Sequence, residues 1–258
     1  MARMTLATVI VCLGLSQADV VSASTFRVTP VQVALSGSSS SALLSVGNES
    51  DQELRFQVSA FTWGMDDAGR MKLTPTQDIV FFPMLFTLAP GTERKIRVGS
   101  TTFVGPTEKT YRIFVEELPP SGVAEVSSAG AQVRVLTKMG IPVFLQPERS
   151  EASGVIEVLG LEGGRLRYRV RNPGNVHFVL QNVQVRGFGA SGEDVIDRHA
   201  DGWYVLAGGS REYSEALSAD ECARLKSISI EARTDHDTLT TRLEPPPGAC
   251  GMKAAEPK

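Results

Sequence analysis

The chain alternates apolar and polar residues with a period of two, and this pattern restricts it to β-structure. The alternation is clearest over residues 54–59, 95–99 and 111–116. Turn-forming residues interrupt it at short intervals: Ser36-Gly37, Gly47-Asn48, Pro90-Gly91, Pro119-Pro120, Gly163-Gly164 and Asn172-Pro173-Gly174. Short strands separated in this way are typical of β-sandwiches. Only Ser218 to Lys226 fits a helical turn or two, so we predict an all-β protein.

A change in composition near Pro147 divides the chain into two parts. There an apolar strand gives way to a polar, proline-led segment, and a new series of strands opens at Val155. The two parts, residues 24–147 and 148–258, are each close to the roughly 100 residues of one immunoglobulin-like domain. We therefore predict two tandem immunoglobulin-like β-sandwich domains.

The first residues carry the features of a secretory signal peptide. Arg3 precedes an apolar run from Leu6 to Leu15, which is too short to span a bilayer, and small residues follow up to Ala23. We predict that residues 1–23 are removed on export. No later apolar run is long enough to span a membrane either, so we expect the mature protein to be soluble.

Export changes what the three cysteines of the chain imply. Cys12 lies in the predicted signal peptide, so the mature protein keeps Cys222 and Cys250 in an oxidising compartment. These two either form a disulfide or stay as unpaired buried thiols, because a bridge requires Cα atoms within about 7 Å. We predict the disulfide. Beyond Leu243 we expect a disordered, proline-rich tail, apart from whatever holds Cys250.

Charge and motifs give no sign of nucleic-acid binding or of catalysis. The formal net charge is −3 and the isoelectric point about 5.7, whereas nucleic-acid-binding domains usually have a pI above about 9. No Gly-x-Ser-x-Gly motif or phosphate-binding loop occurs. His177, His199 and His236 lack the close spacing of metal ligands, so we place them on the surface or in turns. We expect no enzyme, cofactor, metal or small-molecule substrate; the alternative is a metal-dependent enzyme that uses these histidines.

Residues 131–147 form the most distinctive segment of the chain. The residues on one face of its first half are Ala131, Val133, Val135 and Thr137. A nearly continuous apolar run follows at 141–145, and a loop rich in Pro, Gly, Ser and Ala precedes the segment at 119–130. The segment is either an ordinary last strand of the first sandwich or an edge strand that is offered to a partner.

Several motifs of the first domain resemble those of the periplasmic chaperones of the chaperone-usher pathway, which assemble bacterial pili. The matching pieces are FRVTPVQVAL at 26–35, LSVGN at 44–48, PTQDIVFFP at 75–83, LAPG at 88–91, IRV at 96–98, YRIFVEELPP at 111–120 and IPVF at 141–144. The YRIFVEELPP block is the most specific of these. Such chaperones have two immunoglobulin-like domains in a boomerang arrangement, and the short loop before the last strand resembles their short-loop branch.

The resemblance implies a mechanism and a location. Such a chaperone works in the periplasm without a cofactor, binds pilus or fimbrial subunits (pilins) and delivers them to an outer-membrane usher. It donates the last strand of its first domain to a subunit that lacks a strand. Ala131, Val133, Val135 and Thr137 are then the residues that enter the groove of the subunit. The alternative function is a secreted structural or adhesive immunoglobulin-like protein of a surface fibre.

The family holds the C-terminal carboxylate of the subunit with two basic residues between the domains, and this sequence departs from that pattern. Gln32 and Pro142 stand at the two positions. A buried carboxylate still requires a cation or several N–H donors. The candidate replacements are Lys138 and Arg112, with Arg134 less favoured; for each of them, solvated surface charge is the alternative.

Glu108 matches an acidic residue that ties the two domains together in this family. Its usual arginine partner aligns with Gln146, which carries no charge. The resemblance therefore predicts an interdomain role for Glu108 and leaves its partner open.

Overall fold

The computed structural model of the chain describes residues 25–66, 68–120 and 135–250. The predicted signal peptide, Ala131, Val133 and the last residues of the tail lie outside these ranges. Within them the regular secondary structure is almost entirely β-strand, with one short helix, as the alternating pattern predicts. None of the described residues belongs to a helix with the length and hydropathy needed to cross a bilayer.

Ten strands of the described residues form the first sandwich. They are β1 (Phe26–Thr29), β2 (Val33–Leu35), β3 (Ser41–Asn48), β4 (Leu54–Met65), β5 (Met71–Pro75), β6 (Ile79–Phe82), β7 (Leu85–Leu88), β8 (Glu93–Ser100), β9 (Lys109–Leu118) and β10 (Lys138–Leu145). One sheet has the strand order β1-β3-β8-β6, and the other has the order β2-β10-β9-β4-β5, with β7 paired to β4. The strand β2 pairs with β10 in parallel, and the other pairs in this sandwich are antiparallel.

The period-two alternation buries one face of each sheet. In β4, Leu54, Phe56 and Val58 are buried, and the residues between them are partly or fully exposed. Tyr111 and Ile113 of β9 reach the same core. Full burial of each such side chain contributes roughly 1.5 to 3 kcal/mol, so the inner faces hold the two sheets together and fix which residues of each strand face outward.

Eight further strands form the second sandwich. They are β11 (Val155–Glu162), β12 (Arg165–Arg171), β13 (Phe178–Phe188), β14 (Asp194–Asp201), β15 (Tyr204–Val205), β16 (Ser210–Ala216), β17 (Ser227–Thr234) and β18 (Thr238–Leu243). The sheets have the orders β11-β12-β16 and β14-β13-β17-β18, and β15 pairs with β13. Tyr168, Phe178 and Ile230 lie in their shared core. The predicted architecture of two β-sandwiches is confirmed.

The helix α1 (Ala219–Arg224) contains one of the two cysteines of a disulfide. The Ser218 side chain accepts a hydrogen bond from the backbone N–H of Glu221, and the Glu221 carboxylate accepts one from the backbone N–H of Ser218. This capping box satisfies two N–H groups at the start of the helix. Cys222 is bonded to Cys250, with the Cα atoms 5.7 Å apart. The predicted helical turn and disulfide are both confirmed.

The two sandwiches contact each other through loops at one end of each. Asn175 donates a side-chain hydrogen bond to the Pro106 carbonyl at 2.9 Å, and its own carbonyl accepts from the Glu108 backbone N–H at 2.9 Å. The hairpin between β4 and β5 makes a second contact at Gly69, where φ is +74° and a Cβ atom would lie 3.4 Å from Cγ of Arg211. These contacts bring the outer face of β4, β9 and β10 towards the second sandwich.

Candidate functional site

The strand β10 has an edge that is only partly paired. It pairs with β9 along its whole length, from Lys138 to Leu145, but β2 covers the opposite edge only over Val143–Leu145. Among the described residues no strand pairs with that edge from Lys138 to Pro142. The backbone N–H and C=O groups of an unpaired edge are available to a strand of another chain.

Of the four predicted donor residues, two lie within the described residues. Val135 is 51% exposed and its neighbour Leu136 is 42% exposed, whereas Thr137 is half-buried. The Thr137 carbonyl accepts a hydrogen bond from the Glu117 backbone N–H at 2.9 Å. The apolar residues directly before β10 therefore face solvent rather than the core of their own domain.

Arg112 is a buried cation on the outer face of the first sandwich. It lies on β9 between two core residues, so its side chain points away from that core, and it stands directly opposite Pro142 of β10. The residue is 8% exposed. Its guanidinium carbon lies 4.3 Å from the ring centre of Trp63 and 5.7 Å from that of Trp203. Such cation–π contacts contribute about 0.5 to 2 kcal/mol each.

The guanidinium of Arg112 has no anionic partner among the residues that the structure describes. Its Nε is fully buried and donates no hydrogen bond there, and no ion pair of Arg112 occurs within the same residues. Burial lowers the pKa of Arg112 from its ordinary value. A buried charge without a counterion costs free energy, so this position favours the arrival of an anion.

Lys138, the other candidate for the carboxylate anchor, is already paired. Its Nζ lies 2.8 Å from Oε2 of Glu116, the residue directly opposite on β9, and 4.9 Å from the ring centre of Phe114. Its side chain is 47% exposed. A solvated, paired lysine gains little from a new anion, so the geometry favours Arg112 over Lys138.

Gln32 and Pro142 lie where the resemblance expects basic residues, and both belong to the same region as Arg112. The Tyr204 hydroxyl, from the second sandwich, donates a hydrogen bond to Oε1 of Gln32 at 3.4 Å. Pro142 has no N–H and lies on the partly unpaired edge of β10, where a proline costs no ladder hydrogen bond. Neither residue carries a charge, so among the described residues Arg112 is the buried cation of this region; the less favoured candidate, Arg134, lies outside them.

Glu108 contacts the second sandwich through His177. Its Oε1 accepts a hydrogen bond from the His177 backbone N–H at 3.1 Å and lies 2.7 Å from Nδ1 of the same residue. The Glu108 side chain is fully buried. Gln146 lines a cavity of about 370 Å³ together with Glu108 and His177. The partner that the sequence left open is therefore His177.

An aromatic cluster fills the space between the sandwiches. The ring of Phe144 stacks on His177 with centres 3.6 Å apart, and Trp63 lies 6.0 Å from Phe144. Tyr204 packs edge-on against Trp63 at 5.1 Å, and Trp203 lies 5.6 Å from Tyr204. Residues of both sandwiches thus form the wall on which the Arg112 guanidinium rests.

A model of a known protein family matches the first domain of this chain. Residues 25–151 match the model described as "Pili and flagellar-assembly chaperone, PapD N-terminal domain". The chain belongs to the PapD-like pilus chaperones. A comparison with curated protein sequences gave no significant match.

Solved structures of pilus chaperones have the same two-domain fold. One is the CsuC-CsuE chaperone-tip adhesion subunit pre-assembly complex of Acinetobacter baumannii: 16% identity, TM-score 0.58, 84% of this chain and 97% of that chain. A second is the E. coli chaperone DraB, with 21% identity and a TM-score of 0.53; the match covers 87% of this chain and 98% of that chain. A third is the Salmonella enterica SafA pilin in complex with the SafB chaperone, with 14% identity and a TM-score of 0.52; the match covers 85% of this chain and 96% of that chain. At these identities the likeness concerns the fold.

One histidine of this PapD-like chaperone is not where the sequence predicted it. His177 is not on the surface: its side chain is only 10% exposed because it lies between Phe144 and Glu108. His199 and His236 are solvent-exposed, each beside an aspartate, as predicted. Among the residues described, no three metal-ligand side chains lie close enough together to hold an ion.

The aromatic cluster was missed in the sequence, although a signal for it exists in this chaperone. Trp63 falls on the face of β4 that the alternation assigns to solvent, yet it is 2% exposed. Phe144 lies between Val143 and Leu145 in a continuous apolar run of β10. Such a run has apolar residues on both faces of the strand, which indicates that both faces are buried. An aromatic residue out of phase with its strand indicates a contact surface beyond the core of its own domain.

Proposed function

We propose that this protein is a periplasmic chaperone that binds pilus subunits by donating a β-strand and delivers them to an outer-membrane usher. The observation that carries the proposal is the partly unpaired edge of β10 beside the buried guanidinium of Arg112, which has no anionic partner within the described residues. Three of the similar structures are described as a chaperone with a tip adhesin, a chaperone-tip adhesin complex and a chaperone with a pilin. Family membership supports the same class of partner for this chain.

The donor segment, residues 131–137, is the part that we propose to enter the groove of the subunit. A subunit that lacks one strand exposes an apolar groove, and an added strand supplies both ladder hydrogen bonds and alternate apolar side chains. Val133 and Val135 are the two large side chains on the donating face, flanked by Ala131 and Thr137. Each valine contributes on the order of 1.5 kcal/mol on full burial. A donor of this modest size keeps the groove dry and is displaced at the usher by the next subunit.

Arg112 is the residue that we propose to bind the C-terminal carboxylate of the subunit. A subunit strand that pairs with the free edge of β10 runs past Gly140, and a Cβ atom at Gly140 would lie 3.4 Å from Nη1 of Arg112. The guanidinium is therefore next to the path of that strand. Arginine binds carboxylates through two parallel N–H bonds, and the carboxylate supplies the counterion that the buried cation lacks.

We also propose that the chain is processed on export and divides into two domains near Pro147. Residues 1–23 act as a signal peptide that directs the chain to the periplasm. The first domain then comprises residues 24–147 and the second residues 148–258, and Glu108 with His177 holds them together. The short loop at 119–130 is consistent with the short-loop branch of these chaperones.

Co-expression with the pilin encoded beside its gene tests the proposed function. We expect the wild-type protein to be recovered from the periplasm in a one-to-one complex that protects the pilin from proteolysis. The alternative, a structural protein of a surface fibre, predicts instead that this protein is found in assembled fibres. Its recovery in fibres, together with the absence of a complex, would contradict the chaperone function.

A further inference from the structure

Both tryptophans of the chain lie on the guanidinium of Arg112, and they come from different domains. Trp63 belongs to β4 of the first sandwich, and Trp203 directly precedes β15 of the second. Trp63 is 2% exposed, whereas Trp203 is 43% exposed. The guanidinium is thus held against the first domain by a buried ring and reached from the second domain by a ring that borders solvent.

Tyr204 extends this arrangement with a hydrogen-bond donor. Its ring packs against Trp63 and Trp203, with centres 5.1 and 5.6 Å away. Its hydroxyl donates to Gln32 at 3.4 Å, which is long for an O–H donor, since such bonds are usually about 2.7 to 2.8 Å. A weak bond to a neutral amide is readily exchanged for a shorter bond to a carboxylate.

We propose that the second domain completes the carboxylate site, with Tyr204 donating its hydroxyl to the C-terminal carboxylate of the subunit that Arg112 binds. Trp203 acts as a positioning residue that keeps the guanidinium in place. This inference rests on the proposed function, because it concerns the same subunit and the same anchor.

The first domain alone leaves such a carboxylate incompletely bound. Gln32 is neutral and Pro142 has no N–H, so Arg112 is the one cation that this region offers among the described residues. A carboxylate has two oxygens that accept up to about four hydrogen bonds. The Tyr204 hydroxyl, from the second domain, lies beside Gln32, and the Tyr204 ring packs against Trp63, on which the Arg112 guanidinium rests. Binding of the subunit therefore depends on how the two domains are held relative to each other.

A peptide with and without its terminal charge tests this inference. The probe is a fluorescent synthetic peptide of the C-terminal strand of the pilin encoded beside the gene, prepared as the free acid and as the C-terminal amide. For the wild-type protein we expect the acid to bind at least about 10-fold more tightly, because a hydrogen bond to a charged group contributes about 1.5 to 3 kcal/mol. The acid, but not the amide, should also change the intrinsic tryptophan emission, since both tryptophans border the guanidinium.

Variants of the second domain separate a binding role from a structural one. Tyr204→Phe removes only the hydroxyl, and we expect the ratio of acid to amide affinity to fall to about one third or less of the wild-type ratio. Trp203→Ala should lower the ratio in the same way, and Trp203→Phe, which keeps an aromatic ring, should restore it. Tyr168→Phe is the matched control, because Tyr168 is a buried tyrosine in the core of the second sandwich; its ratio should equal that of the wild type.

The outcomes distinguish this inference from the proposed function. If Tyr204→Phe and Trp203→Ala keep the wild-type ratio while Arg112→Met abolishes it, the second domain does not contribute and the inference is overturned, while the anchor stands. If the wild-type protein binds acid and amide equally, both the anchor and the inference are wrong. If the ratio falls in Tyr204→Phe and not in Tyr168→Phe, the inference is supported.

Discussion

The guanidinium carbon of Arg112 lies 4.3 Å from the ring centre of Trp63, and no acidic side chain among the described residues pairs with it. A buried cation held only by aromatic rings is weakly compensated, since a cation–π contact contributes less than a buried ion pair requires. We infer that an anion binds next to Arg112 during part of the functional cycle and compensates its buried charge. The free chaperone then carries an energetic cost that the subunit removes on binding.

This cost predicts opposite effects of one substitution on stability and on binding. Arg112→Met keeps most of the side-chain volume and removes the charge. We expect the free energy of unfolding of the free protein to stay constant or rise by about 1 kcal/mol, and the recovery of co-expressed pilin to fall at least 10-fold (about 1.4 kcal/mol). Thermal unfolding and periplasmic co-purification measure the two effects.

Lys138→Met is the matched control for Arg112→Met. Lys138 is exposed and paired with Glu116, so its removal should change pilin recovery by no more than about threefold. If Lys138→Met abolishes recovery and Arg112→Met does not, the anchor lies on the exposed end of β10 and the assignment of Arg112 is wrong.

His177 should contribute measurably to the stability of the contact between the domains. His177→Ala removes the stack on Phe144 and the side-chain contact with Glu108, and it leaves a buried carboxylate without that partner. We expect a loss of about 2 to 3 kcal/mol in the free energy of unfolding, measured by urea denaturation. His199→Ala, at an exposed histidine, should stay within about 0.5 kcal/mol of the wild type. Equal effects of the two substitutions would show that the contact of His177 with Phe144 and Glu108 does not contribute to the free energy of unfolding.

The disulfide should stabilise the second domain mainly by restricting its unfolded state. Cys222 and Cys250 are 28 residues apart, and a loop of this length corresponds to about 3.5 kcal/mol in the chain-entropy model. The double substitution Cys222→Ser with Cys250→Ser should lower the free energy of unfolding by roughly 2 to 4 kcal/mol. Addition of a reductant should lower that of the wild type and leave the variant unchanged. A wild-type protein that is insensitive to reductant under unfolding conditions contradicts this expectation.

Alkaline pH should destabilise the protein through its tyrosines. Burial raises the pKa of all four, Tyr111, Tyr168, Tyr204 and Tyr213, above the ordinary value of 10.0. Below that pH the phenols are protonated in both states, and above it the unfolded chain ionises first, so stability is lost as the pH rises beyond about 10. Tyrosinate absorbance should therefore appear together with unfolding. Tyrosinate that forms in the folded protein with ordinary pKa values contradicts the burial.

The sequence predicted the sandwiches well because their signal is local. Alternation around Phe56 and Ile113 predicted which face of each strand is buried, and a helical turn was predicted within residues 218–226, where the structure has α1. The resemblance to pilus chaperones supplied Arg112 as a candidate. What distinguishes Arg112 from Lys138 is its burial and its lack of an anionic partner among the described residues, and both depend on the tertiary structure. No local pattern marks His177, because its role depends on Phe144 of the other domain.

The central claim is that the donor segment completes a subunit. Introducing negative charge on one face of this segment or on the other tests it most directly. Val133→Asp together with Val135→Asp puts two carboxylates on the donating face, and Gln132→Asp together with Leu136→Asp puts them on the opposite face of the same segment. Val135 and Leu136 are both solvent-exposed, so we expect all these chaperones to remain folded. The measurement is the amount of co-expressed pilin that each one recovers from the periplasm. We predict recovery at the wild-type level for the opposite-face variant and a loss of at least about 10-fold for the donating-face variant, because burying an unpaired carboxylate costs several kcal/mol. Wild-type recovery by the donating-face variant would contradict the account.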